Sequence, residues 1–144
     1  MPAIKTLKRN CHDTWSKIVR LRDRHRCQMC GSVELLQAHH SVVTDNQGGS
    51  TRYDTRNGIC FCYTCHIIKH HRGQSSLDWQ TGFNQKVHSL IPIEIQDEIT
   101  LQSKQYFSTS NKTIHSEVLE QLKQELSDLQ EIRMRETADL SNHI

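Results

Sequence analysis

Four cysteines set the tightest limit on this chain. Cys27 and Cys30 form one C-x2-C pair and Cys62 and Cys65 a second, with 31 residues between the pairs. Two intervening residues let one tight turn present both sulfurs to a single ion, and two such turns supply the four ligands that tetrahedral zinc takes at about 2.3 Å. The gap between the pairs is longer than in the common zinc ribbons, so a further unit must be threaded between the knuckles. That insert contains Ala38-His39-His40 and Asn57, and just beyond Cys65 stand His66 and His70. A helix beginning near Cys65 would place those two imidazoles, four residues apart, on one face in the manner of a metal-ligand pair. Cys11 and Cys60 have no partner at knuckle spacing and read as lone thiols, with the second knuckle taken from Cys62 rather than Cys60.

A chain of 144 residues suffices for one domain, or for a small domain with an appendage. Only 35% of it is hydrophobic and 6% aromatic, so a metal staple is a reasonable substitute for a large core. The net charge of +2 hides an asymmetry: residues 1–73 carry 12 Lys and Arg against 5 Asp and Glu, and residues 74–144 carry 6 against 11. A polyanion-facing first segment and a solvated or partner-facing second segment are expected from that split, with the boundary near residue 73. No segment has the length and apolar character of a membrane span or of a secretory leader. The expected compartment is the cytosol, where paired cysteines read as metal ligands rather than disulfides.

Taken in order, residues 1–10 read as a loose basic arm. Trp15, Ile18, Val19 and Arg22 then mark one stripe of a helix over residues 11–21. Lys17, Arg20, Arg22, Arg24 and Arg26 stand against the single acid Asp23, a run that suits either a solvated face or phosphate contact. Residues 35–43 read as the first strand of a hairpin carrying His39 and His40, residues 44–50 as a turn-rich loop, and residues 51–53 as the start of the return strand. Asn57-Gly58 reads as another turn, and residues 66–72 as a short helix stopped by Gly73. Helices are expected over residues 77–90, over 93–106 after Pro92, and over 114–135 with Thr113 as its cap. In the last of these, Leu119, Leu122, Leu126 and Leu129 form a stripe that either packs back on the chain or supports self-association.

These elements together resemble the HNH nuclease family, also called the ββα-metal fold. The likeness rests on Ala38-His39-His40, then Asn57, then Cys65-His66, inside the four-cysteine frame and preceded by Arg22-Asp23-Arg24-His25-Arg26-Cys27. It spans residues 15–72. The stretch from Asn57 to His70 is also similar to the Asn, His, His spacing of colicin-type nuclease toxins, which lack the cysteines. Here 16 residues separate His40 from Asn57, two more than in that pattern, and the Pro that usually follows the His pair is missing.

The resemblance implies an α+β fold: a small ββα-metal core with a four-cysteine zinc site, an N-terminal helix and a C-terminal helical appendage. It implies a DNA endonuclease, of the phage-borne or mobile kind, working in a bacterial host cell. Neighbouring residues on a strand point to opposite faces, so His39 and His40 should take separate roles. By the resemblance, His40 is the general base, while His39 and His66, with His70 as a third, hold a catalytic Mg2+, Mn2+, Ni2+ or Zn2+ apart from the structural zinc. Asn57 would hold the loop opposite His40 and orient its imidazole. Beside such a core, Lys17, Arg20, Arg22, Arg24, Arg26, Lys69 and Arg72 are expected to meet DNA phosphates. The competing expectations are a zinc-knuckle DNA-binding module without catalysis, and a phage packaging or recombination factor whose C-terminal helix binds a protein partner or a second copy.

Overall fold

In the computed structural model, residues 2–45 and 49–142 are described. The order is helix α1 (Ile4–Arg22), strands β1 (Leu36–His40) and β2 (Gly58–Cys62), a π-helix (Thr64–His71), then helices α2 (Leu77–Leu90), α3 (Ile93–Ser103) and α4 (Lys112–Asn142). This is the mixed α and β architecture expected, with the four cysteines gathered at one end of the hairpin.

Helix α1 starts seven residues earlier than expected and absorbs most of the supposed basic arm. Leu7 is the reason: it lies four residues before Cys11 and extends the buried stripe Leu7, Cys11, Trp15, Ile18 and Val19 by a full turn. After Arg22 the chain turns through two left-handed residues, Arg24 (φ 60°) and His25 (φ 51°), with the His25 N–H donating to the Arg20 carbonyl at 2.8 Å. That reversal aims the chain into the first knuckle.

The two strands pair antiparallel, with Ala38 opposite Cys60 and His40 opposite Gly58. The return strand is therefore Gly58–Cys62 and not residues 51–53, which wind as part of a short 3-10 turn, Gly49–Tyr53. Asn57 closes a second such turn, Thr55–Asn57, capped by the Asp54 side chain. The expected loop at 44–50 falls partly outside the described residues.

Strand alternation divides the interior in two. On one face Cys60, with Leu36 and Ala38, meets α1 and α4 in a cluster that contains Trp15, Tyr53, Leu119 and Leu122. On the other, Ile59 and Phe61 meet the knuckle cysteines and α2 through Phe83 and Val87. Gly58 lies where α1 crosses β2: a Cβ there would stand 2.8 Å from Trp15 Cζ2 and closer still to Val19. It begins a buried strand and does not form a turn.

Helix α2 has the expected bounds, with Ser76 accepting from the Trp79 N–H as its cap. Helix α3 stops three residues short of the expected end, and α4 runs seven residues past it, capped by the Asn111 side chain on the Ile114 N–H in place of Thr113. The leucine stripe of α4 packs on α1, the two helices running in the same direction: the Cys11 thiol donates to the His115 carbonyl, and Arg133 donates to the Arg22 carbonyl. No helix among the described residues is long and apolar enough to cross a membrane.

Candidate metal centres and active-site groove

The sulfurs of Cys27, Cys30, Cys62 and Cys65 all lie within 4.8 Å of one another, with Cys30 and Cys62 at 3.6 Å. Tetrahedral zinc with thiolate bonds of about 2.3 Å needs sulfurs about 3.8 Å apart, so the spacing suits a structural zinc ion. Each knuckle turns its own backbone onto a sulfur: Cys30 N–H to Cys27 Sγ at 3.5 Å and Cys65 N–H to Cys62 Sγ at 3.4 Å. Burial alone would raise the Cys27 thiol, but such amides bring it down to about 7, toward the thiolate that binds metal. Cys60 stands apart: it is buried against α1, its N–H donates to Asp23, and burial pushes its thiol up to about 12. Cys11 is likewise raised, to about 11. Both are packed thiols.

The second cluster is made of imidazoles. His39, from β1, and His66 and His71, from the π-helix, bring ligand nitrogens within 4.8 Å of one another. The cluster takes in His71, which spacing did not single out. The Arg72 N–H donates to the Ile67 carbonyl, five residues back, and this wider turn brings position i+5 as well as i+4 round toward His66. His70 borders the cluster, its ring 5.1 Å from that of His39, but it stacks on Phe83 at 4.3 Å and its buried Nδ1 has no hydrogen-bond partner. Burial holds His39 far below the ordinary imidazole range, at about 2, and the neighbouring imidazoles add to this. The same causes bring His66 to about 4. Neutral imidazoles are the form that ligates a metal.

His40 faces the other way, as strand alternation requires. Its ring lies flat on Trp15, centroids 4.1 Å apart and planes within 8°, and Trp15 is itself fixed by a 2.9 Å bond to the Asp54 carbonyl. His40 Nε2 sits 2.9 Å from the Arg52 carbonyl oxygen, which can only accept, so Nε2 carries the proton and Nδ1 is the basic nitrogen. Burial lowers the His40 pKa, opposed by the Arg52 carbonyl and by Asp45.

Asn57 is fully buried. Its Oδ1 accepts from the Val42 and Val43 N–H groups at 2.8 and 3.1 Å, and its Nδ2 donates to the Val43 carbonyl at 2.9 Å. It fastens the chain just after His40, and the bond to the His40 imidazole comes from the Arg52 carbonyl, not from Asn57. Both histidine groups open onto one groove of about 680 Å³ along the outer edge of β1, with His12, Ser16 and Arg20 of α1 as its far wall. Among the described residues β1 pairs only with β2, so that edge carries no further strand.

Of the basic residues expected to meet DNA, Arg20 lines this groove and Lys17 is exposed on the same helix. Arg22 turns inward, bonding Asp23 and the carbonyls of Thr55 and Gly58, and Arg24 pairs with Glu136 at 3.3 Å. Arg26 is exposed, Lys69 lies over the Trp79 ring, and Arg72 donates to the Tyr63 hydroxyl. Gln37 and Ser41 are contacts that residue type and spacing did not single out, because neither is a ligand. Comparison with protein-family models, with curated proteins and with solved structures finds no match.

Proposed function

We propose that the chain is a metal-dependent DNA endonuclease of the HNH type, hydrolysing phosphodiester bonds in the groove beside β1. The observation that carries this reading is the placement of two kinds of imidazole at one groove: a three-histidine cluster suited to a divalent ion, and His40 with a free, basic Nδ1. When bound, a divalent ion supplies charge neutralisation on the phosphoryl oxygens and help for the departing 3′ oxygen. His39, His66 and His71 would hold it, a donor set that favours Zn2+, Ni2+ or Mn2+ over Mg2+.

The remaining chemistry belongs to the chain. His40 Nδ1 takes the proton of the attacking water, while the Arg52 carbonyl holds Nε2–H and Trp15 fixes the plane of the ring. Depression of its pKa by burial keeps His40 unprotonated at neutral pH, the form a base requires. Asn57 keeps the 41–43 segment in place, so the base does not drift from the groove. Arg20, on the far wall, offers a positive charge to a backbone phosphate.

The test is nicking of supercoiled plasmid with a panel of Mg2+, Mn2+ and Ni2+. Wild type should relax the plasmid, and His40→Ala should abolish this, a loss of at least about 100-fold for removal of a general base, with zinc content unchanged. Retained cutting by His40→Ala would overturn the assignment of the base. Binding of DNA by wild type without cleavage under any of these ions would favour a zinc-knuckle binding module.

A further inference from the structure

The face of β1 that presents His39 also presents Gln37, since residues two apart on a strand share a side, and Ser41 follows directly after the strand. The Ser41 hydroxyl has a single proton, which it donates to the His39 carbonyl at 3.0 Å. Its oxygen must then accept from His39 Nδ1, 3.1 Å away, which leaves Nε2 of that ring with a free lone pair. Across the gap to the π-helix, Gln37 Oε1 lies 2.8 Å from His66 Nδ1. An amide oxygen only accepts, so the proton of His66 is likewise held on Nδ1.

We propose that Gln37 is a positioning residue of the histidine centre: its amide oxygen locks His66 in the Nδ1–H tautomer and turns Nε2 toward the ion that His39 and His71 share. The bond spans 29 positions of sequence and ties the strand that supplies one ligand to the helix that supplies the other two. Ser41 does the same for His39 at shorter range. An acceptor behind a ligating imidazole fixes both its tautomer and its rotation, and losing one typically weakens metal binding by 10 to 100-fold. Among the described residues Gln37 belongs to neither hydrophobic cluster, and as a partly exposed residue on the strand edge it is not needed to complete the core. The inference rests on the three-histidine centre described above and does not require that the protein cut DNA.

The test uses the full chain with zinc in the thiolate site, titrated with Co2+ in the absence of DNA. Gln37→Met, of similar length but without the acceptor, should bind Co2+ about 10 to 100-fold more weakly than wild type, with one zinc retained per chain. Gln37→Glu, which keeps an oxygen at the same reach, should restore the affinity. Nitrogen-15 spectra of the cobalt-free protein should show His66 protonated at Nδ1 in wild type and a mixture of tautomers in Gln37→Met. Equal affinity of wild type and Gln37→Met, or a His66 ring protonated at Nε2 in wild type, would overturn the proposal. Because the readouts are affinity and tautomer, they stand independently of plasmid cleavage.

Discussion

His39 is only 7% exposed and is ringed by other imidazoles, so protonating it in the folded protein is costly. Unfolded, it and His66 would titrate near pH 6.5. Folded, they stay neutral down to about 2 and about 4 respectively. Between pH 6.5 and 4 the unfolded chain therefore binds more protons than the folded one, and stability is lost as pH falls through that window. Urea midpoints measured from pH 7 to 5 should decline, with a shallower slope in His66→Gln; an identical slope would contradict the assigned burial effect. Asn57 makes a second residue-scale case. Its fully buried amide satisfies backbone groups of Val42 and Val43, so Asn57→Ala strands partly buried donors and an acceptor and leaves a void where the amide was. A cost of about 1–3 kcal/mol is expected, read as a lower thermal midpoint at unchanged zinc content, and the proposed nuclease activity should fall with it.

At the scale of elements, the winding of one short helix sets which histidines gather at the candidate metal centre. An α-helix would put only His70, at i+4, beside His66; the wider π-turn also brings His71, at i+5, round to that side. His71→Ala should weaken Co2+ binding at the histidine site more than His70→Ala does, and calorimetry would show the opposite order if the α-helical pairing held in solution. Both knuckles and the gathering of His39 with His66 were legible because metal chemistry leaves few residue types to choose from. The start of α1 was not, since Ile4 and Leu7 are two apolar residues among Lys5, Lys8 and Arg9 and gain meaning only once Leu7 is seen to be buried. Gly58 likewise reads as a turn until Trp15 and Val19 are seen to close on it. Gly58→Ala should push α1 off β2 at a cost of about 1–3 kcal/mol, the range for overpacking, measured by urea denaturation.

The molecule as a whole is two small cores sharing one hairpin, each held by a different means. On the α1 side, α4 lays Leu119 and Leu122 over Trp15 and Cys11, so the acidic C-terminal segment forms part of the same interior as α1. On the other side, a cluster of few large residues is completed by four thiols. A strong chelator should accordingly melt the knuckle side first, because folding there is coupled to zinc binding. The central claim is that strand and π-helix converge on one ion next to the face that presents His40. Anomalous diffraction from crystals soaked in Mn2+ or Ni2+ tests it most directly. The account predicts a peak within bonding distance of His39, His66 and His71, separate from a zinc peak among the four sulfurs; a map with metal at the sulfurs and no density between the three imidazoles would contradict it.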